Sequence, residues 1–437
     1  MHRFPRRNSV FFGCDVKVKA IGVDFGTSNT AAAILTSDGE MQMLNLDPSN
    51  IGDPRLLKSL CYFPTRKEAF FGKGAIDGYF ERDMEGRFFQ SIKKLLPNSD
   101  FQGTIIHGQH VSLEELIARF LKETRKRIES EIGSIEGIPV VMGRPARYSN
   151  DPGREGLAVV RFRKACDEAG FQRCRLMEEP SAAALTYQAT RSARDEMILV
   201  ADLGGGTSDF TLMRFQGKKA NVLSVHGVSV AGDSLDSEFM MARLLPFFGS
   251  EIKYQRPFAS NILTMPTSLM KMLPKWHHHA FLKEKSTWNF IKTLHKELVD
   301  PGQKPVLENL ITLVEDNLGY ALHQRVETLK CDLSGQAVSD FAFKSHPIKI
   351  EFPVKAAEFE AIVEPAVDAI KKSALETFKY ANVSPDELET IYFTGGTSQV
   401  PIIRKTLLSL FPNAKTAEKD TFTSVAAGLA LSEKSIN

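Results

Sequence analysis

Two aspartates, three glycines and two hydroxyl residues follow an apolar stretch near the middle of the chain. The stretch ILVA is typical of a buried strand, and it leads into Asp202, Gly204, Gly205, Gly206, Thr207, Ser208 and Asp209. Backbone N–H groups of glycines can lie close against an anion, and the hydroxyl groups add donors. Because carboxylates repel phosphate, the aspartates indicate a hydrated Mg²⁺ between them and the phosphate. Taken alone, the stretch also fits a strand end with a flexible glycine turn.

The residues after Asp209 show what kind of loop this is. FTLMRF and ANVLSV have the composition of strands, and QGKK between them is typical of a glycine turn. The predicted anion-binding loop therefore lies at the tip of a β-hairpin. A Walker loop and a Rossmann loop both lead into a helix, so neither motif fits.

A second stretch of the same kind lies near the start of the chain. IGVDFGTSNT again places an aspartate, Asp24, after an apolar strand, and Gly26, Thr27, Ser28 and Asn29 follow. The strand AAAILT, an Asp-Gly turn and MQMLNL come next, which predicts another hairpin. Two similar hairpin loops predict two related lobes that face one nucleotide.

Together with two further motifs, these loops resemble a known family. MEEPSAAALTY places Glu179 and Pro180 at a helix start, and IYFTGGTSQVPIIRKTL places Gly395 and Gly396 after a strand. In this order the motifs resemble the ATPase domain of DnaK-type heat-shock chaperones, over about residues 19–431. Within that family the chain is similar to the YegD-like subgroup, which lacks a substrate-binding domain. Since the sequence ends at Asn437, we expect that domain to be absent here.

The resemblance implies an α/β fold: the two-lobed actin-like ATPase fold, whose duplicated RNase H-like lobes enclose a nucleotide cleft. It divides the chain into an N-terminal extension at 1–18, lobe I at 19–195, lobe II at 196–418 and a C-terminal helix at 419–437 that returns to lobe I. Residues 247–305 depart most from the family and are expected to form a variable upper subdomain.

The resemblance also implies a ligand, ATP or ADP with Mg²⁺, and a set of residues around it. The catalytic set would be Asp24, Asp202, Asp209, Glu179 and Thr207, with Asp24, Asp202 and Glu179 holding the metal mostly through water. The phosphates would be bound by Gly26, Thr27, Ser28, Asn29, Gly204, Gly205 and Gly206, with Gly232 and Asp233 closing from the second lobe. The adenosine would be bound by Glu327, Lys330, Ser334, Gly395, Gly396, Thr397 and Ser398.

Three positions depart from the family pattern. The family lysine that contacts the phosphates falls on Ile76 here, although Lys73 lies close in sequence. The family arginines near the adenosine fall on Cys331 and Gln399, and at Cys331 guanidinium stacking on adenine is lost. Because one preorganised donor typically contributes about 10²- to 10³-fold to turnover, we expect slow hydrolysis. On this basis Ile76→Lys should raise or preserve turnover, and Lys73→Ala should change little.

The composition excludes several classes of function. With 437 residues and a net charge of +2, the chain has no basic footprint for nucleic acid or an anionic membrane, and no apolar run of membrane-spanning length occurs. The five cysteines include no CxxC pair, which indicates a cytoplasmic location. His277–His279 cannot share one helix face, so they are interpreted as a partly exposed patch rather than a metal site. We expect a monomer whose protein client or partner is unknown.

Two other functions remain open from the sequence. A small-molecule kinase of the same superfold would need a carboxylate base and a sugar-sized pocket, and neither can be identified. A nucleotide-sensing interaction protein with little catalysis is favoured somewhat by the three departures. The apolar pattern also predicts one long helix from Leu307 to Leu333, which would carry adenosine-binding residues.

Overall fold

The computed structural model of the protein describes residues 17–149, 151–172, 174–189, 195–217, 219–418 and 424–435. Most of the predicted N-terminal extension and part of the predicted C-terminal segment lie outside these ranges. The strands are β1 (Val18–Phe25), β2 (Asn29–Thr36), β3 (Met41–Met43), β4 (Leu57–Lys58), β5 (Leu60–Phe63), β6 (Phe70–Phe71), β7 (Arg87–Gln90), β8 (Gly103–Ile106), β9 (Gln109–Ser112), β10 (Val140–Arg144), β11 (Arg175–Glu178), β12 (Glu196–Leu203), β13 (Ser208–Gln216), β14 (Lys219–Val228), β15 (Lys253–Gln255), β16 (Ile262–Thr264), β17 (Val338–Ser345), β18 (Ile348–Lys355), β19 (Thr390–Thr394) and β20 (Lys415–Glu418).

The α-helices lie on and between the sheets that these strands form. They are α1 (Lys73–Glu81), α2 (Leu113–Ile132), α3 (Pro152–Glu168), α4 (Glu179–Gln188), α5 (Gly232–Phe239), α6 (Thr267–Met270), α7 (His279–Leu282), α8 (Lys285–Thr293), α9 (Lys304–Glu315), α10 (Gly319–Leu333), α11 (Ala356–Ala381), α12 (Pro401–Leu410) and α13 (Ser424–Leu431). At the start of α2 the Ser112 hydroxyl accepts from the Glu115 N–H at 3.1 Å and so caps the helix.

Two large sheets share one strand order. The first runs β3-β2-β1-β10-β11, with β4 also pairing with β2, and the second runs β14-β13-β12-β19-β20. In both sheets the first three strands are antiparallel neighbours and the last two add in parallel. Each sheet therefore contains a hairpin at its centre, and the repeated order confirms the prediction of two related lobes.

The two predicted loops lie at the tips of these central hairpins. In the first sheet Asp24 is near the end of β1 and pairs with Ala31 of β2. In the second sheet Asp202 lies directly opposite Asp209 and beside Thr394 of the parallel strand β19. The predicted turns connect β2 to β3 and β13 to β14, as expected. The prediction that each loop lies at a hairpin tip is also confirmed, but these hairpins are β1–β2 and β12–β13, so both loops lie at the carboxyl ends of β1 and β12.

Helices α4 and α13 connect the two sheets. Their apolar residues share one core cluster with β10 of the first sheet and β12 of the second. A Cβ atom on Gly428 of α13 would lie 1.8 Å from the carbonyl oxygen of Ala182 in α4, so only glycine permits this backbone contact. Helix α13 also packs against β1, where a Cβ on Gly22 would lie 2.2 Å from the Ala426 carbonyl oxygen.

The prediction of a single long helix over Leu307–Leu333 is wrong. Helix α9 ends at Glu315 and α10 begins at Gly319, and Asn317 between them adopts a left-handed conformation with φ of 57°. The ring of His279 lies against the start of α10, where a Cβ on Gly319 would be 2.2 Å from the ring Nδ1. The glycine at position 319 therefore makes room for a side chain from a distant part of the chain.

The prediction of a partly exposed histidine patch is wrong for His279. Its side chain is buried, and its Nε2 lies 2.8 Å from the Leu273 carbonyl oxygen. Burial lowers the pKa of His279 to about 4, so the ring is neutral at physiological pH. His277 is half-buried, and burial lowers its pKa to about 3. These two rings act as packing elements of the segment that precedes α8.

The architecture is the actin-like two-lobed α/β fold, with a cleft between lobes that repeat the same sheet. None of the helices within the described ranges combines the length and the apolar character needed to cross a bilayer.

Candidate functional site

A cavity of about 660 Å³ lies between the lobes, at the tips of both central hairpins. Ligand pockets typically measure about 300–1,000 Å³, so a nucleotide-sized ligand fits. The predicted site residues that line the cavity are Asp24, Gly26, Thr27, Ser28, Asn29, Glu179, Asp202, Gly204, Gly205, Gly206, Thr207, Asp209, Gly232, Asp233, Glu327, Lys330, Ser334, Gly395, Gly396 and Thr397. The predicted residue Ser398 does not line it; its hydroxyl donates to the Gly395 carbonyl at 2.7 Å and supports the turn.

Four carboxylates form the floor of the cavity. Asp24 comes from the end of β1, Asp202 and Asp209 face each other across the second hairpin, and Glu179 begins α4. Like charges directly opposite each other across two strands are destabilising. We define these four residues as the carboxylate floor. Four carboxylates this close together require cations to offset their negative charge.

The electrostatics of the carboxylate floor reflect this crowding. Burial, together with the carboxylate of Glu179, raises the pKa of Asp24 to about 7. Burial raises the pKa of Asp209 to about 6, although the hydroxyl of Thr207 bonds to this carboxylate and opposes the shift. Burial and the neighbouring carboxylates hold the pKa of Asp202 well above its usual value. A bound cation would relieve this repulsion and restore the ionised forms.

The second anion-binding loop is held in place by short hydrogen bonds. The Gly204 N–H donates to the Thr207 carbonyl at 3.0 Å, and the Thr397 hydroxyl donates to the Gly204 carbonyl at 2.6 Å. The Asp233 N–H donates to the Gly205 carbonyl at 2.7 Å, which ties the start of α5 to the same loop. The loop is therefore preorganised by residues from three separate segments of the second lobe.

The two loops fit a phosphate chain and its magnesium ion. The Ser28 hydroxyl is buried in the cleft and has no hydrogen-bond partner among the described residues. A Cβ atom on Gly205 would lie 2.5 Å from this hydroxyl, so the glycine keeps a cradle open beside it. No group of three His, Cys, Asp or Glu side chains within the described ranges is arranged to chelate a metal directly. Carboxylates around a wider space suit Mg²⁺, which usually keeps several waters.

The opposite end of the cavity contains the residues predicted to bind adenosine. Lys330 of α10 pairs with Asp236 of α5 at 2.7 Å, and the second carboxylate oxygen of Asp236 has no partner in the described part of the chain. Gly395 has φ of 79°, and a Cβ there would lie 2.3 Å from the Leu203 carbonyl oxygen. The backbone of Gly395, which carries no side chain, therefore forms part of the cavity wall at this end. Cys331 and Gln399, the two departures from the family arginines, also line the cavity.

Sequence analysis missed two lysines in the cleft. Lys93 and Lys94 lie on a short 3-10 turn, Ile92–Leu95, that follows β7. The Lys93 ammonium lies 2.6 Å from Glu179 Oε1, and the Lys94 ammonium donates to the Gly206 carbonyl at 2.8 Å. Although burial lowers the pKa of Lys93, the carboxylates of Glu179 and Asp24 outweigh it and hold the pKa above its usual value. The adjacent lysines in QSIKKLL are the sequence signal that could have indicated them.

The expectation that the cleft lacks a phosphate-side lysine is therefore wrong. Ile76 does line the cavity, but it is 2% exposed and belongs to an apolar cluster. Lys73 forms an ion pair with Asp77 on the surface of α1 and does not line the cavity. The cation comes instead from the turn after β7, some distance along the chain from either candidate.

An aromatic cluster joins the two lobes at the rim of the cleft. The indole of Trp276 packs against Phe88 and Tyr320 with ring centroids 5.0 Å apart in both pairs. Phe80 lies 5.7 Å from Tyr320, and Tyr79 lies 4.8 Å from Phe88. We call these five residues the inter-lobe aromatic cluster. Tyr79, Phe80 and Phe88 belong to the first half of the chain and Trp276 and Tyr320 to the second, so the cluster bridges the cleft.

The fold and cleft define an actin-like two-lobed protein, and comparisons with known proteins define the family. The sequence model described as Hsp70 protein matches residues 70–255 and 308–434. The chain is 25% identical over 419 residues to Chaperone protein DnaK of Thermosipho melanesiensis, covering 95% of this chain and 59% of that protein. It is 25% identical over 413 residues to Chaperone protein DnaK of Thermoplasma acidophilum, covering 94% of this chain and 57% of that protein.

The chain belongs to the Hsp70 family. It spans a little under 60% of the length of the two relatives named above. The segment between the two matched ranges falls largely within residues 247–305, which the sequence set apart as the variable part. Trp276 of the inter-lobe aromatic cluster lies in that unmatched segment.

Proposed function

We propose that the protein is a chaperone-like, Mg²⁺-dependent ATP-binding protein that hydrolyses ATP slowly as its lobes open and close. The observation that carries the proposal is the pair of hairpin loops facing one cavity above the carboxylate floor. The Ser28 hydroxyl, which has no partner within the described ranges, and the open cradle beside Gly205 provide a donor and the space that a phosphate chain requires.

The residues of the cleft would divide the work between binding and chemistry. Asp24, Asp202 and Glu179 would hold Mg²⁺ through water, and the metal would offset charge on the phosphate oxygens. Asp209 lines the cavity opposite Asp202, so its carboxylate, ionised once a cation is bound, would accept a proton from an attacking water. The hydroxyl of Thr207 bonds to the same carboxylate and would fix its orientation. In such reactions the protein mainly positions groups and stabilises charge.

Slow turnover was first expected because of Ile76, and that reason no longer holds. The inter-lobe aromatic cluster supplies another reason, because product release requires the rim of the cleft to open. In many enzymes such an opening step, rather than the chemistry, limits turnover. We therefore propose slow hydrolysis limited by the separation of the lobes.

The alternative of a nucleotide-sensing protein with little catalysis loses one of its three grounds, since the cleft does contain a lysine beside the carboxylate floor. No residue of the cleft favours a small-molecule kinase specifically. The relatives are named as chaperone proteins, so we propose a protein client or partner. A cytoplasmic location and a monomeric state remain predictions from composition.

The proposal is tested by thermal unfolding and calorimetry with and without nucleotide. We expect Mg-ATP or Mg-ADP at about 100 times its dissociation constant to raise the free energy of unfolding by about 2.7 kcal/mol. EDTA should reduce the effect. An absence of both binding heat and thermal shift with ATP and with ADP would contradict the proposal.

A matched pair of glycine variants shows whether the stabilisation comes from the predicted cradle. Gly205→Ala places a methyl group 2.5 Å from the Ser28 hydroxyl and should strongly weaken the nucleotide-induced shift. Gly156→Ala, in the exposed face of α3 with open space around it, should leave the shift unchanged. Equal shifts in both variants would place the nucleotide elsewhere.

A further inference from the structure

We propose that Arg161 of α3 is a positioning residue for ATP hydrolysis: it fixes the turn Ile92–Leu95, so that the Lys93 ammonium stays beside the carboxylate floor. The inference rests on the proposed function, since it concerns hydrolysis in the same cleft. Arg161 does not line the cavity, so its effect on the reaction would pass through the turn. Neither the motifs nor the family pattern singled this residue out.

Arg161 is a buried arginine whose donors converge on one segment of the chain. Its side chain is 3% exposed, and Nη1 donates to the carbonyls of Leu96 and Asn98 at 3.2 and 2.8 Å. Nη2 donates to the side-chain oxygen of Gln102 at 3.3 Å, and Nε lies 3.7 Å from a carboxylate oxygen of Glu114 on α2. Leu96, Asn98 and Gln102 all follow the turn closely in sequence. The planar fork of guanidinium donors thus holds this segment against α3.

A short chain of hydrogen bonds connects Arg161 to Lys93. The Leu96 carbonyl accepts from Arg161, and the Leu96 N–H donates to the Lys93 carbonyl at 3.2 Å. Leu96 is fully buried, so its carbonyl needs a partner from the protein. Without the guanidinium this peptide group would move towards another donor, and the Lys93 backbone would move with it.

The backbone at the start of the turn is strained, and it needs anchors on both sides. Ser91, directly before the turn, has φ of 57°, in the left-handed region that residues other than glycine rarely adopt. Such a conformation persists where the surrounding structure fixes it. Ile92 is buried in the core of the first lobe, and Arg161 holds the segment on the other side of the turn. Loss of the second anchor would let the turn relax and displace its lysine.

The residue after Arg161 fixes the carboxylate side of the site. The ring of Phe162 stacks on the ring of Phe25 with centroids 5.9 Å apart, and Phe25 directly follows Asp24 on β1. The Lys93 ammonium lies 5.8 Å from the centre of the same Phe25 ring. Consecutive residues of α3 therefore hold the cation and the strand end that carries Asp24 in one frame. A displacement of about 1 Å within such a frame can lower turnover about 10²-fold.

The test begins with Arg161→Met, which retains an unbranched side chain and removes every donor. With saturating Mg-ATP, the single-turnover rate per bound nucleotide should fall about 10- to 100-fold, the range typical of losing a group that orients an active-site residue. Because the rate is expressed per bound nucleotide, unfolded protein does not contribute to it. The dissociation constant of Mg-ADP should change by less than about 3-fold, since binding is distributed over both loops.

Arg127→Met is the matched control. Arg127 of α2 also donates to a main-chain carbonyl, that of Leu46 at 2.7 Å, and it pairs with Asp47 at 3.3 Å. Leu46 and Asp47 follow β3 and do not line the cavity. Both variants should lower the free energy of unfolding, because each leaves a carbonyl without its donor. Only Arg161→Met should lower the rate per bound nucleotide.

A double-mutant cycle shows whether Arg161 acts through Lys93. Lys93→Met should lower the rate by removing the ammonium. Arg161→Met added to Lys93→Met should lower the rate by less than about 3-fold further, because no ammonium is left to displace. An effect of Arg161 on the fold alone would reduce the rate by the same factor with and without Lys93.

Arg161→Lys covers the case in which Arg161→Met does not fold. A lysine keeps the positive charge near Glu114 and can donate to a carbonyl, but it lacks the planar fork that serves several oxygens together. This variant should therefore fold and should lower the rate per bound nucleotide about 10-fold. Where both variants fold, the rate should decrease from the unmodified protein to Arg161→Lys to Arg161→Met.

Each outcome bears on one proposal or on both. A selective fall in rate with retained ADP affinity, an unaffected Arg127→Met and a non-additive cycle support the role of Arg161. An unchanged rate, an equal fall in Arg127→Met or additive losses in the cycle overturn it, while the proposed function stands. If the unmodified protein binds neither nucleotide or does not hydrolyse ATP, the proposed function fails and this inference fails with it.

Discussion

Replacing Asp24 with Asn should make the metal-free, nucleotide-free protein more stable and the ATPase slower. Asp24 lies in the carboxylate floor, where burial and Glu179 raise its pKa to about 7. Each pKa unit corresponds to about 1.4 kcal/mol, so we expect the variant to gain roughly 1–3 kcal/mol in free energy of unfolding at pH 8. Removing a carboxylate that orients metal-bound water typically costs about 10- to 100-fold in metal affinity or activity. Denaturant unfolding in EDTA and single-turnover hydrolysis measure the two effects.

The pH dependence of this gain has a definite sign. The raised pKa means that folded protein binds the Asp24 proton more tightly than the unfolded chain does. The resulting stability is fully present below the unfolded value of 3.8 and is lost as pH rises through about 7. The Asn variant has no such titration. Its advantage should therefore be largest at pH 8 and shrink towards pH 4, and equal stability of the two proteins at pH 8 would contradict the electrostatic account.

Asp47→Asn is the matched control, because Asp47 is also a buried carboxylate of the first lobe but has its partners. It pairs with Arg127 at 3.3 Å, and it accepts the Lys73 N–H at 2.9 Å and the Ser49 hydroxyl at 2.6 Å. Loss of this satisfied carboxylate should lower stability. If Asp24→Asn raises the free energy of unfolding and Asp47→Asn lowers it, the carboxylate floor lowers the stability of the fold in favour of ligand binding.

Replacing Trp276 with Ala should accelerate ADP release by about 10- to 100-fold. Trp276 makes three aromatic contacts across the cleft, with Phe88, Phe80 and Tyr79 of the opposite lobe at centroid distances of 5.0, 6.1 and 6.5 Å. Aromatic pairs contribute about 0.5–1.5 kcal/mol each, and every 1.4 kcal/mol changes an equilibrium about tenfold. Because the contacts exist only while the rim is closed, their loss favours the open cleft. Stopped-flow release of a fluorescent ADP analogue measures the rate, and steady-state turnover should rise with it if opening is limiting.

The second tryptophan provides the control for this experiment. Trp288 of α8 packs on the core of its own lobe, with Lys292 over its ring at 5.3 Å, and belongs to no contact across the cleft in the described structure. Trp288→Ala should leave ADP release unchanged. The variant Trp288→Phe retains Trp276 as the single tryptophan, whose emission should shift to the red when the cleft opens. Release rates equal to the unmodified protein in Trp276→Ala would remove the aromatic cluster from the opening step.

Local sequence patterns predicted the two anion-binding loops because each loop consists of consecutive residues. The Asp-Gly turn after β2 predicted the antiparallel pair β2–β3, and the glycine turn after β13 predicted the pair β13–β14. Each pair begins with the strand that follows an anion-binding loop, which indicated that the loop precedes a strand and not a helix. A carboxylate at the end of an apolar strand, followed by Gly and Thr and present twice in the chain, is the pattern from which a metal–phosphate site was predicted. The positions of Asp24 and Asp202 in the cavity could therefore be predicted without any knowledge of long-range contacts.

Apolar periodicity alone failed at the helix predicted over Leu307–Leu333. The pattern continues through Asn317 and Gly319, and a helix would accommodate both residues at a modest cost. In the structure α9 ends at Glu315, Asn317 takes a left-handed conformation, and the ring of His279 packs where a side chain at position 319 would lie. Since His279 is distant in sequence, periodicity within the helix contains no information about it.

The sequence by itself determined the Hsp70-type lobes and the residue types presented by the two hairpin loops, because both depend on neighbouring residues. Only the tertiary structure decided which cation lies beside the carboxylate floor and what closes the cleft. Ile76 stands where the family has its lysine, and this predicted that the cleft lacks a lysine. The fold instead brings Lys93, from the turn after β7, to Glu179. Likewise Trp276 meets Phe88 only because the lobes pack together. Both depend on the distance between side chains in space, which spacing along the chain does not encode.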